Sequence, residues 1–127
     1  SNNSSVNQAY HILRIIHLSN RCTIKIIYIH IHLQKKEFLK IFEQKVLNPI
    51  DKFKPEIILI SAGFDAHTRD PLANINLESK DYYEITKKIV DLANIHSKGR
   101  IISFLEGGYD LLALSESIKE HFLALKI

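Results

Sequence analysis

The sequence of 127 residues has no methionine, no tryptophan and a single cysteine, Cys22. A lone cysteine excludes an internal disulfide, and no partner residues complete a zinc-finger pattern around it. We interpret the thiol as inert and typical of a reducing compartment, which favours a cytoplasmic location. The sequence also lacks any apolar run of about 18 residues, the length of a membrane-spanning helix. A soluble protein without a membrane partner is predicted.

Acidic residues are absent from the first 36 positions. The same stretch holds five basic residues, namely Arg14, Arg21, Lys25, Lys35 and Lys36. The remaining twelve basic and fourteen acidic residues give the chain from Glu37 onward a net charge of −2. The basic isoelectric point of about 9.0 therefore belongs to the N-terminal segment, and direct binding of nucleic acid is not predicted.

The first 21 residues are basic and rich in serine and asparagine, a composition that also fits an organelle transit peptide. Because no methionine provides the usual start, we favour a truncated or upstream-extended reading frame with little structure of its own. Residues 1–34 are assigned as a leader that is disordered or carries one stray strand. Residues 35–127 are assigned as a partial domain.

Apolar residues make up 46% of the chain and charged residues 24%, which is typical of one modest folded domain. The apolar spacing predicts strands and helices in alternation. The predicted elements are a strand at 23–31, a helix at 35–52 interrupted near Pro49, a strand at 57–60, a loop at 62–78, a helix at 79–97 capped by Ser79, a strand at 100–105 and a helix at 111–125. This order predicts an α/β fold with a parallel sheet.

Two loops that follow predicted strands carry polar side chains suited to chemistry, since open parallel sheets bind ligands beyond the carboxyl ends of their strands. The first loop contains Asp65, His67 and Asp70, and the second contains the turn at 106–109, EGGY. A carboxylate can bind zinc and a phenol can stabilise an oxyanion, which suits metal-assisted hydrolysis. On the residues alone, however, an aspartate before proline is more often a turn or capping residue, and a Gly-Gly-Tyr turn is usually only a turn.

Three strings make a more specific pattern: FKPEIILI at 53–60, SAGFDAHTRDPLANINL at 61–77 and FLEGGYDLLALSESI at 104–118. Together with their spacing, they closely resemble the histone deacetylase and acetylpolyamine amidohydrolase superfamily. The resemblance implies the C-terminal part of an arginase/deacetylase-like fold, in which a parallel sheet lies between two helical layers. It also implies an acetylated protein or an acetylpolyamine as the substrate.

The resemblance also implies two site residues and a cofactor. In the family, the aspartate of the Asp-Pro pair is one of three protein ligands to a catalytic zinc, and Asp70 occupies that position. The tyrosine of the Gly-Gly-Tyr turn polarises the substrate carbonyl, and Tyr109 occupies that position. Some family members carry histidine there and are poor catalysts, whereas this sequence keeps tyrosine.

Five further residues match the family strings at positions around these two. Gly107 and Gly108 are expected to let the backbone run close to the acyl-lysine channel, where a Cβ would obstruct it. Phe64 is assigned to the same channel and loop region. Asp65 and His67 match the strings but are not direct ligands in the family, so they are expected to order the loop around the metal.

In the family, an Asp-x-His segment well upstream of these strings supplies the other two zinc ligands, and a His-His pair, also upstream, supplies the general acid and base. Neither motif is present upstream of the three strings in this sequence. The nearest imitation, His30 and His32, has no aspartate, and His32 precedes Asp70 by 38 residues, roughly half the family's separation or less. Three protein ligands are needed for a catalytic zinc, so weak zinc binding and no activity are expected of the chain alone. The alternatives are a non-catalytic interaction module that complements a separately encoded N-terminal half, or a degenerate gene remnant.

Overall fold

The computed structural model describes residues 11–18, 24–30, 35–71 and 75–126, and only the backbone in the first two ranges. The strands are β1 (His11–Leu18), β2 (Ile24–His30), β3 (Ile57–Ala62) and β4 (Ile101–Leu105), and the α-helices are α1 (Lys35–Phe42), α2 (Asn48–Phe53), α3 (Ser79–His96) and α4 (Leu111–Leu125). Cys22 and His32 lie outside the described residues. No helix within these ranges has the length and apolar character needed to cross a bilayer.

The four strands form one sheet in the order β2, β1, β3, β4. Strands β3 and β4 are parallel, with Ile58 opposite Ile101, whereas β1 is antiparallel to both of its neighbours. The predicted α/β class is confirmed, and the predicted strand at 23–31 is confirmed as β2. Strand β1 was not predicted, so the expectation that the leader holds at most one strand was wrong. Because β1 is antiparallel to both β2 and β3, these two strands run in the same direction. The sheet therefore departs from a parallel arrangement only at β1.

The predicted helix at 35–52 is present, and its interruption near Pro49 takes a specific form. Helix α1 passes into a π-helical turn at Glu43–Leu47 before α2 begins, and Pro49 lies in the first turn of α2. A proline there has no N–H to donate to the preceding turn, and a π-turn is a common way to accommodate such a break. Lys54 ends α2 in a left-handed conformation, and its N–H donates to Ile50 O.

Helix α3 begins at Ser79, but Ser79 is not its cap as predicted. The N-cap is Glu78, whose side chain accepts a backbone N–H of the first turn, while Asp81 Oδ2 accepts the Glu78 N–H at 2.7 Å. These reciprocal bonds form a capping box, which leaves the Ser79 hydroxyl available for other partners. At the other end, Gly99 has a φ of 73° and donates its N–H to Ala93 O, so the predicted stop at Gly99 is confirmed.

One face of the sheet carries the described core. The alternate residues Ile58, Ile60 and Ala62 of β3 are buried in a single cluster with side chains from the helices, including Phe38, Phe42, Val46, Ile50, Ile85 and Ile89. The other residues of β3 are only half-buried, and Ile102 and Phe104 of β4 are exposed. The described helices therefore cover one face of the sheet. Since β3 and β4 are parallel, the loops that follow them lie side by side.

Candidate active site at the carboxyl ends of strands β3 and β4

Backbone hydrogen bonds join the loop after β3 to the turn after β4. The Glu106 N–H donates to Ala62 O at 2.9 Å, and the Phe64 N–H donates to Gly107 O at 2.9 Å. The parallel pairing of the two strands thus continues for two residues beyond their ends. This continuation fixes the start of both loops in one place.

Asp70 and Tyr109, the two residues predicted to carry the chemistry, are in direct contact. Asp70 Oδ2 accepts the backbone N–H of Tyr109 at 2.8 Å. The Asp70 side chain is buried, with 7% of the residue exposed, whereas Tyr109 is 57% exposed. The buried carboxylate holds the tyrosine through its main chain, and the phenol remains accessible to a ligand.

The Asp65 carboxylate packs closely against Gly107, in the turn that precedes Tyr109. It is buried, and burial, followed by the negative charge of Asp70, raises the pKa of its carboxyl group. Among the described residues, Asp65 Oδ1 has no hydrogen-bond partner. A Cβ on Gly107 would lie 3.0 Å from that oxygen, so the close packing of the turn against Asp65 depends on glycine.

Gly108 adopts a φ of +133°, a conformation that L-residues rarely adopt. A Cβ at this position would lie 2.7 Å from Leu114 Cδ1 and 3.3 Å from Phe64 Cβ. The lack of a side chain at Gly107 and Gly108 thus makes room for Asp65 and for Leu114 and Phe64, respectively. The role of both glycines beside a substrate channel stays a prediction. Phe64 is buried, with its ring 5.0 Å from that of Tyr82 and 5.6 Å from that of His121. This places Phe64 in the core, and its assignment to the substrate channel stays a prediction.

Both ring nitrogens of His67 are engaged within the protein. Nδ1 accepts the Arg69 N–H at 3.1 Å, and Nε2 lies 3.0 Å from Ser79 Oγ. Burial, followed by the positive charge of Arg69, lowers the pKa of the imidazole, which favours the neutral ring. In a neutral ring whose Nδ1 accepts, Nε2 carries the proton and donates to Ser79. His67 therefore has no free lone pair for a metal.

Glu116 on helix α4 completes a network that sequence reasoning missed. It accepts hydrogen bonds from the Arg69 guanidinium and from Ser79 Oγ, the latter at 3.2 Å. The bond from Arg69 is the main reason that the pKa of Glu116 is lowered. These partners are 47 and 37 residues apart in the chain, and no local pattern marks such distant pairs.

Tyr82 is a second residue whose place near the site was not predicted. It lies on α3, where the structure buries it against Phe64. Burial, followed by the charges of Asp65 and Asp70, raises the pKa of its phenol. Apolar spacing along a helix can indicate that a side chain is buried, but it cannot show that two carboxylates lie nearby.

The described residues do not fit a complete zinc site. They contain no group of three or more histidine, cysteine, aspartate or glutamate residues that could hold a metal ion, whereas a catalytic zinc takes three protein ligands. Asp70 offers one carboxylate, Asp65 packs against Gly107, and His67 is engaged at both nitrogens. His30 ends β2, where only the backbone is described.

Comparison with known proteins identifies the family. The model of the histone deacetylase domain matches residues 14–125. The chain is 47% identical over 85 residues to histone deacetylase 14, chloroplastic, of Arabidopsis thaliana, covering 67% of this chain and 20% of that protein. It is 35% identical over 72 residues to the histone deacetylase-like amidohydrolase of Pseudomonas aeruginosa, covering 57% of this chain and 19% of the relative. The chain thus spans about a fifth of the length of these relatives.

A solved structure shows the same relationship in three dimensions. The crystal structure of the HDA15 HD domain superposes with a TM-score of 0.65 at 32% identity, covering 73% of this chain and 25% of that one. The resemblance on which the site residues were chosen is therefore confirmed, and so is the arginase/deacetylase-like α/β fold. The chain belongs to the histone deacetylase domain family.

Proposed function

We propose that this chain contributes two groups, Asp70 and Tyr109, to a site that hydrolyses N-acetyl amides such as acetyl-lysine or acetylpolyamines. The observation that carries the proposal is the 2.8 Å hydrogen bond from the Tyr109 N–H to Asp70 Oδ2. It joins the Asp70 carboxylate to the backbone of a tyrosine with an exposed side chain, at the carboxyl ends of two parallel strands, the position at which such sheets bind ligands.

The proposed role of Tyr109 follows from its hydroxyl group. Hydrolysis of an amide passes through a tetrahedral intermediate whose carbonyl oxygen becomes negatively charged, and a phenol O–H can donate a hydrogen bond to that oxygen. With its backbone held by Asp70 and most of its side chain exposed, Tyr109 can present the hydroxyl to a bound acyl group. In this proposal the Tyr109 hydroxyl donates to the substrate oxygen, while the Tyr109 backbone N–H is bonded to Asp70.

The proposed role of Asp70 is that of one anionic ligand to zinc. When bound, such a metal polarises the carbonyl and activates water. The described residues supply neither two further ligands nor a histidine pair for proton transfer. We therefore propose that the chain is a catalytically inactive fragment of a deacetylase domain when it is alone.

The inactivity is tested directly with the purified chain. Acetyl-lysine peptides and acetylspermidine are incubated with it in the presence of added zinc, and released acetate is measured. No turnover above buffer is expected, and metal analysis after dialysis should find much less than one zinc per chain. Turnover that disappears in Asp70→Asn and Tyr109→Phe variants would refute the inactivity and support the assignment of both residues.

The assignment of the residues is tested in a complete domain. The matched segment of the Pseudomonas aeruginosa relative is replaced by the corresponding segment of this chain. The chimera should hydrolyse acetyl-lysine, and Tyr109→Phe should lower kcat by about 10²–10³. Tyr83→Phe, on the half-buried part of α3, is the matched control and should retain activity. A folded, zinc-loaded chimera in which Tyr109→Phe has no effect would contradict the proposed role.

A second candidate function is that of an interaction module completed by a separately encoded part of the domain. The observation that favours it is that the described residues hold no group of three metal ligands, so further ligands would have to come from elsewhere. The test is co-expression with the part of the Arabidopsis relative that precedes the matched region. Recovered deacetylase activity, lost in Asp70→Asn, would support complementation, while two separate inactive proteins would indicate a gene remnant.

The location is proposed from the relatives. The Arabidopsis thaliana protein and histone deacetylase 10 of rice, which is 41% identical over 83 residues, are both named as chloroplastic. These names support an organelle over the cytoplasmic location that the lone cysteine favoured. Fluorescence microscopy of the tagged full gene product tests this, and diffuse cytoplasmic signal would contradict it.

A further inference from the structure

The hydroxyl group of Ser79 is not used to cap helix α3, because Glu78 forms the cap. It lies instead between two other elements, 3.0 Å from Nε2 of His67 and 3.2 Å from Oε2 of Glu116 on α4. A hydroxyl group has one proton to donate and lone pairs to accept, whereas a carboxylate only accepts. Ser79 therefore donates to Glu116 and accepts from His67, a pair of bonds that a methyl group cannot make.

Arg69 joins the two ends of this chain of hydrogen bonds. Its guanidinium group donates to Glu116, and its backbone N–H donates to Nδ1 of His67 at 3.1 Å. His67, Arg69, Ser79 and Glu116 thus form a closed ring of hydrogen bonds, the Ser79 ring. Two of its members lie in the loop after β3, one lies on α3 and one on α4.

The Ser79 ring reaches Asp70 through the backbone. The Asp70 N–H donates to His67 O at 2.9 Å, and Asp70 directly follows Arg69 in the chain. Two ring members therefore set where the Asp70 main chain lies, while the Asp70 carboxylate accepts the Tyr109 N–H at 2.8 Å. A shift of the loop would move that carboxylate relative to Tyr109.

Helix α4 carries the other half of the arrangement. Tyr109 lies one residue before the N-cap of α4, Asp110, and Glu116 lies in the second turn of the helix. An α-helix has a regular rise of about 1.5 Å per residue, so the position of Glu116 is linked to that of the helix start. The ring thus ties the loop that carries Asp70 to the helix that begins beside Tyr109.

We propose that Ser79 is a positioning residue for Asp70 and Tyr109, because its hydroxyl group closes the ring that holds the Asp70 loop against helix α4. The inference rests on the proposed function, since the placement of the two groups matters for chemistry only if both act on one substrate. In this role Ser79 touches neither substrate nor metal. Removal of hydrogen-bond partners that act through a ligand typically lowers metal affinity or activity by about 10–100-fold.

The first test measures hydrogen exchange of the Tyr109 amide by NMR in the whole chain of 127 residues. In Ser79→Ala, this amide should exchange at least about threefold faster, because its acceptor Asp70 spends more time out of position. The Ser97 amide, which donates to Ala93 O at the far end of α3, is the internal reference. A loss of overall stability would affect both amides, whereas a loss of positioning affects Tyr109 alone.

Two further variants separate the hydroxyl group from other effects of substitution. Ser79→Thr keeps a hydroxyl group and should restore slow exchange at Tyr109. Ser115→Ala is the matched control, since it removes a serine hydroxyl that donates to Leu112 O within α4. It should leave exchange at Tyr109 unchanged.

The second test uses the chimera with the Pseudomonas aeruginosa relative and does not depend on how the Ser79→Ala chain folds alone. Ser79→Ala should lower kcat and zinc affinity about tenfold, the lower end of the usual range, because Ser79 acts on Asp70 only through other ring members. KM should change by less than about twofold, since the hydroxyl group does not contact substrate. Ser79→Thr should regain most of both losses, and Ser115→Ala should match the unsubstituted chimera.

Either of two results would overturn the proposal. One is a Ser79→Ala chain in which exchange at Tyr109 is unchanged or rises by the same factor as exchange at Ser97. The other is a folded Ser79→Ala chimera with unchanged kcat and zinc affinity. Failure of the proposed function gives a different result, a Tyr109→Phe chimera that keeps its full kcat. Exchange at Tyr109 is measured without substrate or metal, so it reports on the position of Asp70 in either case.

Discussion

Asp70 Oδ2 accepts the backbone N–H of Tyr109 at 2.8 Å, across 39 residues of sequence. The bond uses the main chain of Tyr109 and leaves its phenol out of the contact. Two properties of the pair can therefore be separated by substitution: removal of the carboxylate should affect the stability of the turn, whereas removal of the hydroxyl should leave that stability unchanged.

Replacing Asp70 by alanine should lower the free energy of unfolding by about 1–3 kcal/mol, because the partly buried Tyr109 N–H loses its acceptor. Asp70→Asn keeps an acceptor oxygen and should cost less. Urea unfolding followed by circular dichroism measures both. Tyr109→Phe is the control, and a change beyond about 0.5 kcal/mol would show that the phenol also stabilises the fold.

Gly108→Ala should destabilise the chain more than Gly107→Ala. At Gly108 the added methyl group meets Leu114 at 2.7 Å in a backbone conformation unfavourable for alanine, whereas at Gly107 it meets the Asp65 carboxylate at 3.0 Å. Costs of about 2–4 and about 1–2 kcal/mol are expected. Thermal melts of both variants compare them. The double variant Gly108→Ala/Leu114→Ala should recover nothing if backbone strain is the larger cause, and part of the loss if the clash is.

Stability should fall with acid through His121. Its ring bonds to Thr86 Oγ1 at 2.7 Å and Ser103 Oγ at 2.8 Å, and burial lowers the pKa of the imidazole. The unfolded chain then binds a proton at higher pH than the folded chain, so the contribution is lost as pH drops below the unfolded value of about 6.5. Unfolding free energies between about pH 7.5 and 5.5 should decline less steeply in His121→Gln. Equal slopes would contradict this.

In the hydrogen-bond network of His67, Arg69, Ser79 and Glu116, loss of a buried side chain should cost much more stability than loss of an exposed one. His67→Ala removes two buried hydrogen bonds and should cost about 1–3 kcal/mol. Glu116→Ala removes an ion pair whose two side chains are 38% and 46% exposed, and it should cost only about 0.2–1 kcal/mol. A double-mutant cycle of Arg69 and Glu116 in denaturant measures the pair. A coupling energy above about 2 kcal/mol would contradict the weak interaction.

Removal of residues 1–34, the boundary assigned from sequence, should leave an aggregating product. The deletion takes away β1 and β2, so β3 becomes an uncovered second edge beside its buried core residues. Light scattering during concentration should rise sharply for chain 35–127 and stay low for the full chain. A stable, non-aggregating 35–127 protein would instead support the original boundary.

The sequence predicted the elements whose patterns are local. Helices α1 to α4 follow from apolar spacing, and β3 follows from the run Ile57–Ile60. Strand β1 was missed because it lies in a polar, basic leader, and because one of its two partners, β3, is 39 to 49 residues further along the chain. The antiparallel pairing of β1 with β3 joins distant parts of the chain, so no local pattern predicts it.

Short family strings singled out Asp70 and Tyr109, and the structure places the two residues in contact. Their roles in a site stay predictions. The burial of Phe64 and the packing of Gly108 against Leu114 were not foreseen, because they depend on how helix α4 returns over the loop. The Arg69 to Glu116 contact has the same origin.

The place of β1 between β2 and β3 sets an order of events during synthesis. Strands β1 and β2 are close in sequence and can form a hairpin within microseconds of leaving the ribosome. Strand β3 can join only after the whole helical segment Lys35–Phe53 has been made, and β4 later still. Until β3 is made, strand β1 therefore has one unpaired hydrogen-bonding edge, and such an edge can pair with a neighbouring chain.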